Sequence, residues 1–113
     1  MSSAPLISII IATYNAAEVI EGTLRVLDEH LPQPYEIVIV DDSLNSLTFD
    51  KITSLDFPYV RIAKRPYAKG LASAILRGVI DSRGAVAAWL DDGVLLMMAW
   101  SLSVIETFAA AAL

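Results

Sequence analysis

No cysteine occurs in the 113 residues, which excludes disulfides and thiolate metal sites and leaves the redox compartment open. Histidine occurs once, as His30. Its place at the end of a helical stretch, just before Pro32, suits a favourable contact with the helix dipole better than a catalytic base, and no Ser-His-Asp arrangement builds on it. Basic charge is scarce as well. A net charge of -5 argues against a nucleic-acid partner, because neutralising phosphates needs a basic surface. Glycine-rich phosphate turns are missing: after the first apolar stretch the chain reads ATYNAAE, with neither GxGxxG nor GxxxxGK[ST]. That argues against a dinucleotide-binding dehydrogenase and a P-loop nucleotidase. Met1 to Pro5 offers no basic segment ahead of a long hydrophobic one, so no signal peptide is expected.

What the chain does have is apolar strand material, with 56% hydrophobic and only 19% charged residues. Tyr35 to Val40 is rich in Ile and Val and stops at two carboxylates, Asp41 and Asp42, followed by Ser43. An apolar run of this kind reads as a strand buried on both faces, as in a parallel sheet covered by helices. Leu6 to Ala12 repeats the pattern after Pro5. Asn15, three residues before Glu18, predicts a capped helix from about Ala16 to His30, ended by Pro32 and Pro34. A loop with a short helix is expected over 43–58, and a third strand over Tyr59 to Ala63. A helix is expected from Gly70 to Ser82, closed by Gly84 as a C-cap. The fourth strand, Ala85 to Leu90, again ends on two acids, Asp91 and Asp92. Strands alternating with helices through short connections predict parallel pairing with right-handed crossovers. The expected fold is therefore α/β and three-layered, with a parallel, Rossmann-like sheet of about four strands and helices on both faces.

The strand ends carry the chemistry. Thr13-Tyr14-Asn15, Asp41-Asp42-Ser43, Lys64-Arg65 and Asp91-Asp92 all fall at the carboxyl edge, where open α/β sheets bind ligands. Alone, each acidic pair also suits a solvated turn or a helix start. Together they repel one another unless a cation or a hydrogen-bonding ligand intervenes. Six of the eight Lys and Arg residues lie between Arg61 and Arg83. Lys64, Arg65 and Lys69 stand near the start of the Gly70 helix, where a phosphate is favoured, whereas Arg77 and Arg83 read as a solvated face. Carboxylates able to hold a divalent cation, facing cationic side chains, suggest a nucleoside diphosphate as the simplest ligand.

In order and spacing, PLISIIIATYNAAEVIEGTL, YEIVIVDDS, KGLASAILRGVIDSRG and VAAWLDDG resemble the N-terminal half of family 2 glycosyltransferases with the GT-A fold. The KGLASAILRG segment is most similar to the polyprenol-phosphate sugar transferases, such as dolichol-phosphate mannose synthases. The resemblance covers most of the chain up to Gly93. It implies that residues 6–93 are the sugar-nucleotide-binding half of a GT-A domain and that the activity is transfer of a hexose from a UDP- or GDP-sugar to an acceptor, a polyprenyl phosphate among the candidates. It further implies that Ala12, Thr13 and Tyr14 contact the base, that Asp42 beside Asp41 hydrogen-bonds it, and that Lys69 and Gly70 lie near the nucleotide. Asp91 and Asp92 fall on the DxD motif and are implied to bind the ribose and a Mg or Mn ion. Here Gly93 stands where the second DxD carboxylate belongs, and Ala16 stands where the family usually has an acid. The half that carries the acceptor site and the catalytic base has no counterpart in these residues, so no catalytic residue is identified. The rival reading is a truncated or degenerate nucleotide-binding or interaction domain without catalysis.

Residues 94–113 contain a single charged side chain, Glu106. They are expected to form an apolar helix. Its partners would lie beyond this segment or in another subunit, and membrane association is the second possibility because about 20 apolar residues are enough to span a bilayer. The location expected from these features is cytoplasmic, at the cytoplasmic face of a membrane if the segment associates with one.

Overall fold

The computed structural model describes residues 5, 7–31, 33–65, 70–84 and 86–91. The expected helix over 94–113, and with it Lys69, Asp92 and Gly93, lies outside the described residues. Seven elements alternate along the chain: β1 (Ile7–Thr13), α1 (Ile20–His30), β2 (Tyr35–Asp41), α2 (Leu47–Leu55), β3 (Val60–Lys64), α3 (Leu71–Asp81) and β4 (Val86–Asp91). The strands form one parallel sheet in the order β3-β2-β1-β4. This order follows from the sequence patterns. β1 and β2 are the two strands rich in Ile and Val and lie in the centre, where both faces are covered. β3 and β4 carry Arg61, Lys64 and small alanines, and lie at the edges.

Alternation along β1 separates two cores. Ile7, Ile9 and Ile11 pack with Ile20, Leu24 and Leu27 of α1, Ile37 and Ile39 of β2, and Ile52 of α2. Each such side chain taken from water contributes about 1.5–3 kcal/mol of transfer free energy. On the opposite face Ile10 meets α3 at Gly78, where an added Cβ would come within 2.3 Å of the Ile10 Cγ2. The helix surface is thereby brought close to the strand. Going outward from β1 to β3, the chain places α1 and α2 on one face. Returning to β4 on the other side of β1, it places α3 on the opposite face, as right-handed crossovers require. The three-layer α/β architecture matches the expectation.

Two local expectations are corrected. Asn15 does not cap α1. Its backbone is left-handed at φ 52°, a conformation Asn tolerates, and the helix starts at Ile20 after a turn closed by Val19 N–H to Ala16 O at 3.0 Å. Gly84 does not cap α3, whose C-cap is the extended Ser82. Gly84 instead lies against β1, donating its N–H to Ser8 Oγ at 2.8 Å, and a Cβ there would meet the Ser8 nitrogen at 2.7 Å. Its role is close backbone approach rather than helix termination. Among the described residues, no helix is long and apolar enough to cross a membrane.

Candidate functional site

Parallel register brings the polar strand ends together. Thr13 pairs with Asp41, Asp41 with Lys64, and Ala12 with both Val40 and Asp91. Thus Ala12, Thr13, Tyr14, Asp41, Asp42 and the backbone of Asp91 share the carboxyl edge of the sheet, as expected. Gly70 stands at the N-cap of α3 with φ 94°, next to open space, in a conformation only glycine adopts readily. Lys69 and Asp92 lie outside the described residues.

The two neighbouring carboxylates are built differently. Asp41 is fully buried and accepts hydrogen bonds from Thr13 Oγ1 at 2.8 Å and from Ser43 Oγ at 2.7 Å. Lys64 Nζ stands 3.4 Å from its other oxygen and donates at 2.7 Å to the carbonyls of Ser43 and Asn45. Ser43 Oγ in turn accepts the Asn15 N–H at 2.7 Å, and Thr48 Oγ1 accepts the Ala16 N–H at 3.0 Å. Asp41 is therefore the knot that ties the loops after β1 and β2 to the end of β3. A buried carboxylate needs this many partners, because leaving such a charge unpaired costs several kcal/mol.

Asp42 lies one residue further on, at the mouth of the edge. It takes a two-pronged contact from the Arg65 guanidinium, with Nε on Oδ1 at 2.5 Å and Nη2 on Oδ2. That hydrogen bonding holds Arg65 above its ordinary, already high, pKa. Arg65 also donates to Ser73 Oγ at 2.7 Å and to Gly70 O at 3.4 Å, which links Asp42 to the first turn of α3. The sequence suggested Lys64 and Arg65 as cations facing a phosphate. In the structure both already have carboxylate partners within the edge. Ser43, Thr48 and Ser73 were not singled out as site residues, since a serine or threonine gives no signal until its partners are known. Tyr14 projects at this mouth, about half exposed.

A second polar cluster sits at the amino end of the same sheet. Glu36, buried at the start of β2, accepts from Ser8 Oγ at 2.6 Å, from the Arg83 N–H at 2.5 Å and from Arg61 Nη2 at 2.7 Å. Burial favours the neutral acid, but these donors outweigh it and hold the Glu36 carboxyl below the usual range. Arg61 also caps the end of α3 by donating to Asp81 O at 2.7 Å.

For a divalent cation, the described residues contain no group of three or more acidic, His or Cys side chains placed to share an ion. Asp41 and Asp42 are engaged as above. The side chains of Asp91 and Asp92, the pair the sequence offers for Mg or Mn, lie outside the described residues.

The family described as Glycosyl transferase family 2 matches residues 8–111. A dolichol-phosphate mannosyltransferase of Pyrococcus furiosus is 38% identical over 87 residues, covering 75% of this chain and 25% of that protein. The Escherichia coli UDP-Glc:alpha-D-GlcNAc-diphosphoundecaprenol beta-1,3-glucosyltransferase WfaP is 34% identical over 87 residues, covering 77% of this chain and 35% of that protein. Among solved structures, the mannosyltransferase PcManGT from Pyrobaculum calidifontis in complex with GDP-Man and Mn2+ shares the fold. Its TM-score is 0.70 at 23% identity, over 80% of this chain and 28% of that one. The chain spans between about a quarter and a third of the length of these relatives.

Proposed function

The chain belongs to glycosyl transferase family 2, and from that membership we propose that it is the donor-binding part of an enzyme that transfers a sugar from a nucleoside-diphosphate sugar to an acceptor. The observation that carries this reading is the convergence of Thr13, Asp42, Arg65 and Gly70 at the carboxyl edge of the sheet, in a chain of this family. Residues 6–93 are read as the sugar-nucleotide-binding half. Ala12, Thr13 and Tyr14 form the wall against which the base lies. Asp42, oriented by Arg65, accepts hydrogen bonds from the base, and the buried Asp41 holds that wall in place. Lys69 and the amides following Gly70 meet the diphosphate, favoured there by the start of α3. Asp91 and Asp92 take the ribose and a Mg or Mn ion, with Gly93 leaving one carboxylate fewer than the family's DxD pattern. The ion, when bound, offsets the charge that grows on the departing diphosphate. A polyprenyl phosphate is the acceptor class suggested by the dolichol-phosphate relative.

Titration calorimetry of the full chain with UDP, GDP and their sugars, with and without Mn2+, tests this reading. At least one nucleoside diphosphate should bind, more tightly with Mn2+. Asp42→Asn should weaken that binding at least tenfold, about 1.4 kcal/mol. Absence of binding by all of them would overturn the functional reading and leave the fold intact. The rival, an interaction domain without catalysis, is favoured by one feature, Gly93 in place of a carboxylate. Under that rival, Gly93→Asp leaves nucleotide and metal binding absent; under the transferase reading it strengthens the dependence on Mn2+.

A further inference from the structure

At the carboxyl edge Arg65 is more deeply enclosed than Lys64, its side chain 10% exposed against 28%. The register that pairs Asp41 with Lys64 carries on one step further. The Arg65 N–H donates to Asp41 O and the Asp42 N–H to Thr13 O, each at 2.9 Å, so Asp42 and Arg65 meet at neighbouring strand ends. The guanidinium then reaches four acceptors: both oxygens of Asp42, Ser73 Oγ at 2.7 Å and Gly70 O at 3.4 Å. Turning it away would break all four contacts and leave a carboxylate only 9% exposed without its counter-charge, so the pair stays closed when a ligand arrives. Nε on Oδ1 and Nη2 on Oδ2 form a fork on a fork, which uses the two lone pairs that point forward from the carboxylate. Each oxygen keeps one more, and those two point outward to opposite sides.

Resting on the nucleotide reading above, we propose that Arg65 is a specificity-determining residue: by filling this fork it leaves Asp42 able to take a single N–H from the base, and so selects uracil over guanine. A flat base can reach one of the two outward lone pairs, not both. Guanine presents N1–H and a 2-amino N–H side by side, a pair that matches the very fork Arg65 already fills. One of those donors would lose its water against the enclosed pair and gain no acceptor there. Uracil presents one N–H, at N3, between two carbonyls, and needs no second acceptor. Pairing with Arg65 also offsets the charge on Asp42, which eases the approach of those carbonyls. Arg65 thus acts on the base through Asp42 rather than by touching it.

Inosine diphosphate, IDP, is GDP without the 2-amino group, which makes it a direct probe of the filled fork. In titration calorimetry of the full chain with Mn2+, UDP should bind about tenfold more tightly than GDP, and IDP about threefold more tightly than GDP. Arg65→Lys keeps a positive charge beside Asp42 but offers a point donor in place of the fork, which frees one oxygen for a second N–H. It should raise the ratio of GDP affinity to IDP affinity by about tenfold. A residue that merely held the edge together would, on substitution, weaken all three ligands alike and leave that ratio unmoved. An unmoved ratio in a folded Arg65→Lys chain would overturn the proposal, as would an unsubstituted chain that binds GDP as tightly as IDP or UDP. Should Arg65→Lys lose its cooperative unfolding transition in urea, the comparison of the three ligands on the unsubstituted chain decides alone. Absence of binding by all three would overturn the nucleotide reading together with this one, whereas GDP binding ahead of IDP overturns the role of Arg65 only.

Discussion

The two ends of β2 each bury an acid, yet the acids are held for different purposes. At the amino end, Glu36 is enclosed by donors from β1, β3 and the segment after α3, and that cluster joins four parts of the fold. At the carboxyl end the task is divided. Asp41 does the joining, and Asp42 is lifted one residue further out, gripped by one arginine and placed beside the half-exposed Tyr14. A strand that simply needed polar ends would not require two adjacent acids at one of them. The doubled acid lets Asp41 anchor the edge while Asp42 holds Arg65 and, through it, the start of α3.

Substitutions can separate these roles. The largest expected effect is from Asp41→Ala, which removes the acceptor for Thr13 and Ser43 and the partner of Lys64; unfolding in urea should show a loss of about 3 kcal/mol. Glu36→Gln comes next, with a loss of about 2 kcal/mol. It carries a pH signature as well. The folded pKa of Glu36 is depressed, so its contribution to stability is fully present above the unfolded carboxyl value of about 4.3 and is lost as pH falls through the lower folded value. The wild-type chain should therefore lose more stability than Glu36→Gln between about pH 5 and pH 3. Asp42→Asn should lose only about 1 kcal/mol of stability, since one oxygen still receives Arg65, while weakening nucleotide binding as described above. A fall as large as that of Asp41→Ala would erase the distinction between the two carboxylates. The smallest effect is expected for Arg25→Ala on the outer side of α1, within about 0.5 kcal/mol because its pairing with Glu21 is exposed.

Strands and the sense of winding were legible in the sequence because β1 and β2 are rich in Ile and Val and because helical segments of fitting length separate the strands. The boundaries that failed were those set by side chains far away in sequence. Asn15 looks like a helix cap beside Glu18, but its backbone is claimed by Ser43. Gly84 looks like a helix stop, but β1 passes too close for any Cβ. The carboxyl edge was located from its doubled acids and polar turns. The division of labour between Asp41 and Asp42 was not, because it depends on Arg65 reaching back across the strand end and on Lys64 turning to the carbonyls of Ser43 and Asn45. Local pattern shows which residues stand at an edge, and only the packed neighbours show which charges are already satisfied there.

The strand order has a consequence for how the molecule is made. β1 precedes the other described elements in the chain and is one of the two central strands, yet its partner on one side, β4, is the last of the seven. Pairings between residues so distant in sequence, such as Ile7 with Val86, form slowly because a long loop must close before they contribute. Until then one side of an isoleucine-rich strand has unpaired backbone groups, the kind of edge that recruits other chains. Nascent or nicked chains that lack β4 should therefore be the ones most prone to aggregate, because the arrival of β4 pairs the open side of β1.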